Sequence, residues 1–130
     1  MAPRDPVRIL ILDDDPSVAN LIGRSLSLDL PAGLCEVKCC TRVEDAVVEM
    51  GQQPVDLLIS DLRMPEYSGL ELIRAVRRFL PDTQIIAMTG YDAPNVRAEL
   101  RALGLVHYLP KPFDASELVK VVRGVLDLPE

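Results

Sequence analysis

Five side chains in this sequence are of the types that together handle phosphate. They are the carboxylates of Asp13, Asp14 and Asp61, the hydroxyl of Thr89 and the ammonium of Lys111. Carboxylates gathered in one place repel and raise one another's pKa unless a cation sits among them. A hard divalent ion with oxygen ligands answers that need. Mg2+ accepts a few carboxylates and keeps several waters, whose places stay open to phosphate oxygens. A carboxylate can also attack phosphorus to give an acyl phosphate. The remaining work of phosphoryl transfer is positioning and charge neutralisation, which the ion and Lys111 can supply. Taken singly, each residue has a plainer reading. Acidic residues after an apolar run are usually a solvated turn or a helix cap, Thr89 before Gly90 a turn, and Lys111 between Pro110 and Pro112 a loop lysine. What decides is whether the chain brings them together.

The stretch 57–59 is apolar, gives way at Asp61 and meets Pro65 four residues on. A short apolar run bounded by turn signals reads as a buried parallel strand. A similar run over 7–12 is stopped by Asp13-Asp14-Asp15-Pro16. The segment 34–40 alternates loosely, 84–88 ends at Thr89-Gly90, and 106–109 ends at Pro110-Lys111-Pro112. Helical patterns lie between them. Asp15 before Pro16 suits an N-cap with proline at the first helical position, ahead of Val18, Leu21, Ile22 and Leu26. Thr41-Arg42-Val43-Glu44 has the form of a capping box, followed by an apolar stripe of Val43, Ala46, Val47 and Met50. Ser68 can cap a third helix carrying Leu72, Ile73, Val76 and Leu80. A fourth helix over 93–103 is sparser, with Val96, Leu100 and Leu103 inward and Gly104 as its C′ residue. Asp114-Ala115-Ser116-Glu117 opens the last helix, whose core-facing residues are Leu118, Val121, Val122, Val125 and Leu126.

Five strands alternating with five helices imply parallel βαβ units and a single doubly wound α/β sheet. Right-handed crossovers leave few topologies. In such an open sheet, ligands bind at the carboxyl ends of the strands. Asp13 and Asp14, Asp61, Thr89 and Lys111 all fall there, a coincidence that a purely structural account does not require.

A chain of 130 residues fits one domain, with a core over about 7–126 and no output domain within it. Nearly half the residues are apolar, yet Trp is absent and aromatics are few, so the core is aliphatic. No apolar run approaches the ~20 residues of a membrane span, and residues 1–6 carry no signal-peptide core. Cys35, Cys39 and Cys40 have no nearby His to complete a zinc pattern and read as thiols of a reducing cytoplasm. A net charge of −6 argues against direct nucleic-acid binding by this domain.

Four segments resemble the signature set of receiver domains of two-component response regulators: Leu12-Asp13-Asp14-Asp15-Pro16, Asp61-Leu62-Arg63-Met64-Pro65, Met88-Thr89-Gly90 and Tyr108-Leu109-Pro110-Lys111-Pro112-Phe113. The resemblance covers 7–126 and implies the flavodoxin-like strand order 2-1-3-4-5. It implies that Asp61 accepts a phosphoryl group from the phosphohistidine of a sensor histidine kinase or phosphotransfer protein. Asp14, Asp61 and the backbone carbonyl of Arg63 would bind Mg2+ directly, with Mn2+ as a substitute, and Asp13 would act through a metal-bound water. Lys111 would pair with Asp61 and then with the phosphoryl group. Thr89 would move to the phosphoryl oxygen, and Tyr108 matches the aromatic that swings in behind it. Arg63 and Tyr91, each two residues past a site residue, would overhang the group and tune its lifetime. Asp15 extends the acidic pair and is assigned to the helix cap. Ser68 stands where the family often has Asp, Leu105 follows Gly104 where a small residue is usual, and His107 reads as a half-exposed strand residue.

The function these features imply is a cytoplasmic phosphoacceptor switch, not an enzyme beyond self-directed capture and hydrolysis. Its output surface would be the fourth helix, fifth strand and fifth helix, read out as a docking face or a phosphorylation-dependent homodimer. An aspartyl-nucleophile phosphatase would carry a second carboxylate two residues after the nucleophile as general acid and base. That position is Arg63, which cannot do the work. A nucleotide binder would need glycines in the first strand's loop, and there are none. A degenerate receiver serving only as a docking module has no need of the intact Asp, Thr and Lys set.

Overall fold

The computed structural model describes residues 6–31, 33–64, 67–90, 94–104 and 106–127. In chain order its elements open with β1 (Val7–Leu12), α1 (Pro16–Asp29), β2 (Cys35–Cys40), α2 (Val43–Gln52) and β3 (Leu57–Asp61). Two short strands, β4 (Arg63–Met64) and β5 (Tyr67–Ser68), lead into α3 (Gly69–Phe79) and β6 (Gln84–Thr89). The described chain then adds α4 (Pro94–Leu103), β7 (Val106–Pro110) and α5 (Ala115–Leu126). Five strands form one sheet in the order β2-β1-β3-β6-β7, every pair parallel. Counted among themselves, these five give the expected order 2-1-3-4-5. The β4–β5 ribbon, pairing Arg63 with Ser68 and Met64 with Tyr67, was not foreseen.

The sheet is covered on both faces, and this is why its middle strands read as unbroken apolar runs. Successive side chains of a strand point to opposite faces. Ile9, Ile11, Ile59, Ile86 and Met88 meet Ala19, Ile22 and Leu26 of α1 and Leu118, Val119 and Val122 of α5. Leu10, Leu12, Leu58, Ile85 and Ala87 meet Ala46 and Met50 of α2, Leu72, Ile73 and Val76 of α3, and Leu100 of α4. Cys39 and Cys40 divide between the two layers in the same way. All three thiols are unbridged, and burial pushes each above the ordinary cysteine range. No helix among the described residues is long and apolar enough to cross a membrane.

Helix ends follow the sequence in two cases and depart from it in a third. Asp15 caps α1 by accepting from the Ser17 N–H at 2.9 Å, with Pro16 next in line. Asp114 caps α5 by accepting from the Glu117 N–H at 2.8 Å. The box expected at Thr41–Glu44 is displaced: α2 starts at Val43 with Arg42 as N-cap, and no side chain bonds there. Glu44 and Asp45 in the first turn instead offer charge to the helix dipole. Two residues assigned to apolar stripes face out, Leu21 at 67% exposure and Val47 at 52%. α1 and α2 thus meet the sheet over a narrower strip than their apolar residues span. Gly104 ends α4 at φ +66°, in the left-handed region, as expected of a C′ glycine. His107 is exposed. The side chain of Ser68, and all of Leu105 and Ala93, lie outside the described residues.

The approach of α1 to β2 depends on a missing side chain. A Cβ at Gly23 would stand 2.8 Å from Cys39 Sγ, which itself donates to the Ala19 carbonyl at 3.2 Å. Overpacking in Gly23→Ala is therefore expected to cost about 1–3 kcal/mol, partly offset by the helix preference for alanine, so the variant should be less stable than wild type by up to about 2 kcal/mol. In a Cys39→Ala background the same change should be neutral or stabilising, because alanine is worth about 1 kcal/mol over glycine within a helix. Urea unfolding midpoints of the two singles and the double check this. Equal effects of Gly23→Ala in both backgrounds would rule out the contact.

Candidate functional site

The strand ladder carries Asp61 and Thr89 to the last position of their strands and Asp13 and Lys111 one step past theirs. Leu12 pairs with Ser60, so the next residues, Asp13 and Asp61, emerge side by side. The Asp13 N–H donates to the Cys40 carbonyl at 3.2 Å, Leu62 to Met88 at 2.9 Å and Lys111 to Thr89 at 2.8 Å. Backbone bonds of this kind fix where each side chain starts. The side chains of Asp13, Asp61 and Lys111 meet above an apolar floor.

Asp13 is 1% exposed and Asp61 6%. Burial of such groups is tolerable when a cation and hydrogen bonds answer them. Lys111 Nζ lies 2.8 Å from Asp13 Oδ2 and 3.2 Å from Asp61 Oδ2. The other oxygens are held by the backbone: Asp13 Oδ1 accepts from the Asp15 N–H and Asp61 Oδ1 from the Arg63 N–H, both at 3.0 Å. Burial by itself pulls the Lys111 ammonium's pKa down. The hydrogen bond and charge of Asp13, and then those of Asp61, outweigh burial and hold it above the ordinary lysine value.

Asp14 is exposed, yet its carboxylate completes a group with Asp13 and Asp61 whose ligand oxygens lie within 4.8 Å of one another. All the donors are oxygens, and among the described ion pairs Lys111 alone meets them. Three carboxylates against one ammonium leave a surplus that suits a hard divalent cation. Asp15 does not join them, since it caps α1.

Thr89 closes β6 and is 3% exposed. Tyr108 faces Ala87 across the β6–β7 pair, and its ring packs into the layer that contains α4. Its hydroxyl is buried with no hydrogen-bond partner among the described residues. Arg63 is exposed beside Asp61. Tyr91, expected with it over the phosphoryl position, lies outside the described residues.

Two contributors were not read from the sequence. A Cβ at Gly69 would stand 2.6 Å from the Asp61 carbonyl oxygen, 2.6 Å from Leu62 Cα and 2.9 Å from the Leu62 carbonyl oxygen. Gly69 thus lets α3 start directly against the backbone that presents Asp61. A glycine eight residues past a buried carboxylate and at the first position of a helix was the available signal. The second is Arg97 of α4, whose Cζ lies 4.9 Å from the centre of the Tyr108 ring. No sequence spacing announces that contact.

Comparison with known proteins places this geometry in context. The family model described as response regulator receiver domain matches residues 9–123. Response regulator MprA of Mycolicibacterium vanbaalenii is 33% identical over 121 residues, 93% of this chain and 51% of the relative. Transcriptional regulatory protein TrcR of Mycobacterium tuberculosis is 30% identical over 125 residues, 96% of this chain and 47% of the relative. The chain therefore spans about half the length of these curated relatives. Among solved structures, chemotaxis response regulator CheY4 of Vibrio cholerae superposes with a TM-score of 0.80 at 29% identity, covering 92% of this chain and 98% of that one. A CheY-like receiver domain protein from Methanospirillum hungatei gives a TM-score of 0.85 over 94% of each chain.

Two outcomes test the geometry. Gly69→Ala must displace backbone rather than a flexible side chain. It is expected to cost about 1–3 kcal/mol and to shift the amide resonances of Asp61 and Leu62. A stable variant with unshifted amides would refute the close approach. The raised Lys111 pKa means that its pairing contributes fully below the ordinary lysine value of about 10.4 and is lost as pH rises through the higher folded value. The stability gap between wild type and Lys111→Met, in metal-free buffer, should accordingly be constant near neutrality and shrink above about pH 10.4. A gap that widened with pH would contradict it.

Proposed function

The chain belongs to the response regulator receiver domain family, and from that premise we propose that it is a phosphoacceptor switch with Asp61 as the acceptor. The observation that carries the reading is the meeting of Asp13 and Asp61 on one Lys111 ammonium at the carboxyl edge of the sheet. The donor is a phosphohistidine on a sensor histidine kinase or phosphotransfer protein. An oxygen of Asp61 forms the new bond to phosphorus as the phosphorus–nitrogen bond breaks, and the electron pair of that bond stays on the imidazole. The Arg63 N–H at 3.0 Å and Lys111 hold the carboxylate in place for attack. Lys111 stays an ammonium at neutral pH and is near enough to follow charge from the carboxylate onto the phosphoryl oxygens.

Asp13, Asp14 and Asp61 fit a divalent ion, and the Arg63 carbonyl would be a further ligand. Mg2+ held there, or Mn2+ in its stead, would supply charge neutralisation and orientation for the incoming group. Phosphorylation adds roughly −1.5 to −2 charge and three acceptor oxygens. The Thr89 hydroxyl turns to one of those oxygens, and Tyr108 moves into the space behind it. Movement then passes to α4, β7 and α5, the face on which a partner or a second copy docks. The setting is the cytoplasm, where such kinases present their phosphohistidine. Turnover is confined to the domain's own phosphoryl group, whose loss Arg63 slows by overhanging it.

Incubation with a small phosphodonor and Mg2+ should add a single acid-stable, base-labile phosphoryl group. Asp61→Asn should abolish it, and Asp14→Asn should raise the Mg2+ concentration needed about tenfold or more, as loss of one coordinating charge implies. Intact-mass spectrometry reads both. Labelling that survives Asp61→Asn would sink the assignment.

A further inference from the structure

Tyr108 is held by two contacts of opposite quality. Its hydroxyl is buried without a partner among the described residues, and an unanswered buried hydroxyl is costly. Its ring carries the Arg97 guanidinium at 4.9 Å, within the range at which a cation is drawn to an aromatic face. The ring packs into the same apolar layer as Val96, Leu100 and Leu103 of α4, and Arg97 and Tyr108 place the two sides of the contact on α4 and β7. On its other flank α4 is tied to α3, by Arg74 to Glu99 at 2.7 Å and by Arg77 Nε to the Leu103 carbonyl at 3.3 Å. A helix fixed to α3 on one side thus reaches over the aromatic that sits two ladder steps before Thr89.

We propose that Arg97 is a latch on Tyr108. The stacked guanidinium holds the ring in the present arrangement against its unanswered hydroxyl, and so sets how much protein occupies the responsive state before any phosphoryl group arrives. The inference rests on the switch reading above and adds the residue that tunes it. A contact made in one of two states shifts their ratio by its own free energy. A ligand that prefers the other state then binds more tightly when the contact is removed.

Variants on the two sides of the contact should pull in opposite directions. Arg97→Ala is expected to tighten binding of beryllofluoride, in the presence of Mg2+, by about two- to fivefold, the effect of losing a partly exposed cation–π stack. Arg97→Lys keeps the charge but not the planar fork and should fall between. Tyr108→Phe removes the unanswered hydroxyl, and should weaken binding by about three- to tenfold while raising the thermal midpoint of the ligand-free protein. Titrations followed by the Thr89 and Tyr108 amide resonances give the affinities. Tighter binding in Arg97→Ala together with weaker binding in Tyr108→Phe supports the latch. Unchanged or weaker binding in Arg97→Ala, or tighter binding in Tyr108→Phe, overturns it and leaves the switch standing. A wild-type protein with no response to beryllofluoride removes both.

Discussion

Two nearly buried carboxyl groups, Asp13 and Asp61, share one edge of the sheet, and the arrangement is tolerable because the Lys111 ammonium reaches both. Beneath them Leu12, Ile59 and Met88 are wholly buried, so the strands offer no water to disperse charge. A carboxylate in such a place needs a cation or bound hydrogens, and each of the two has both. The same economy of cations makes the site receptive. One ammonium cannot answer three carboxylates, and the group that includes Asp14 keeps a demand that a divalent ion is suited to meet.

Much of the rest follows from delivering that ammonium. Lys111 comes from the end of an edge strand, separated from β1 by β3 and β6. Its backbone bond to Thr89 sets where the side chain starts and ties it to the end of β6. On the opposite side of Asp61 the chain must leave β3 and begin α3 within a few residues. Gly69 makes that possible by bringing the helix start against the Asp61–Leu62 backbone without a Cβ. The carboxylate is therefore fixed from below by the sheet, from one side by a lysine and from behind by a helix.

The sequence made these local facts legible to different degrees. Parallel strands were readable because burial on both faces forces continuous apolar runs, as in 57–59. The site residues were readable because each interrupts such a run at its carboxyl end. Caps were readable where one side chain and one N–H settle them, as at Asp15 and Asp114. Thr41 carried a cap's chemistry without its geometry, since the turn into α2 is set by how the helix meets the sheet. Leu21 and Val47 carried the period of a buried stripe, but how wide a strip the sheet covers is a property of the packed pair. The stack of Arg97 on Tyr108 joins a helix and a strand whose angle no periodicity encodes.

Asp13 and Lys111 stand 98 residues apart and nonetheless touch. At a synthesis rate of roughly 5–20 residues per second, the aspartate leaves the ribosome about 5–20 seconds before the lysine that answers it. Through that interval the carboxyl end of β1, joined about halfway by that of β3, carries an acidic group for which Lys111 is not yet made, and the α1–α5 contact on one face of the sheet is also unmade. The first strand cannot be completed as it is born. Maturation of the domain waits on Lys111 and the helix that follows it, so timing as well as geometry is written into the distance between those two residues.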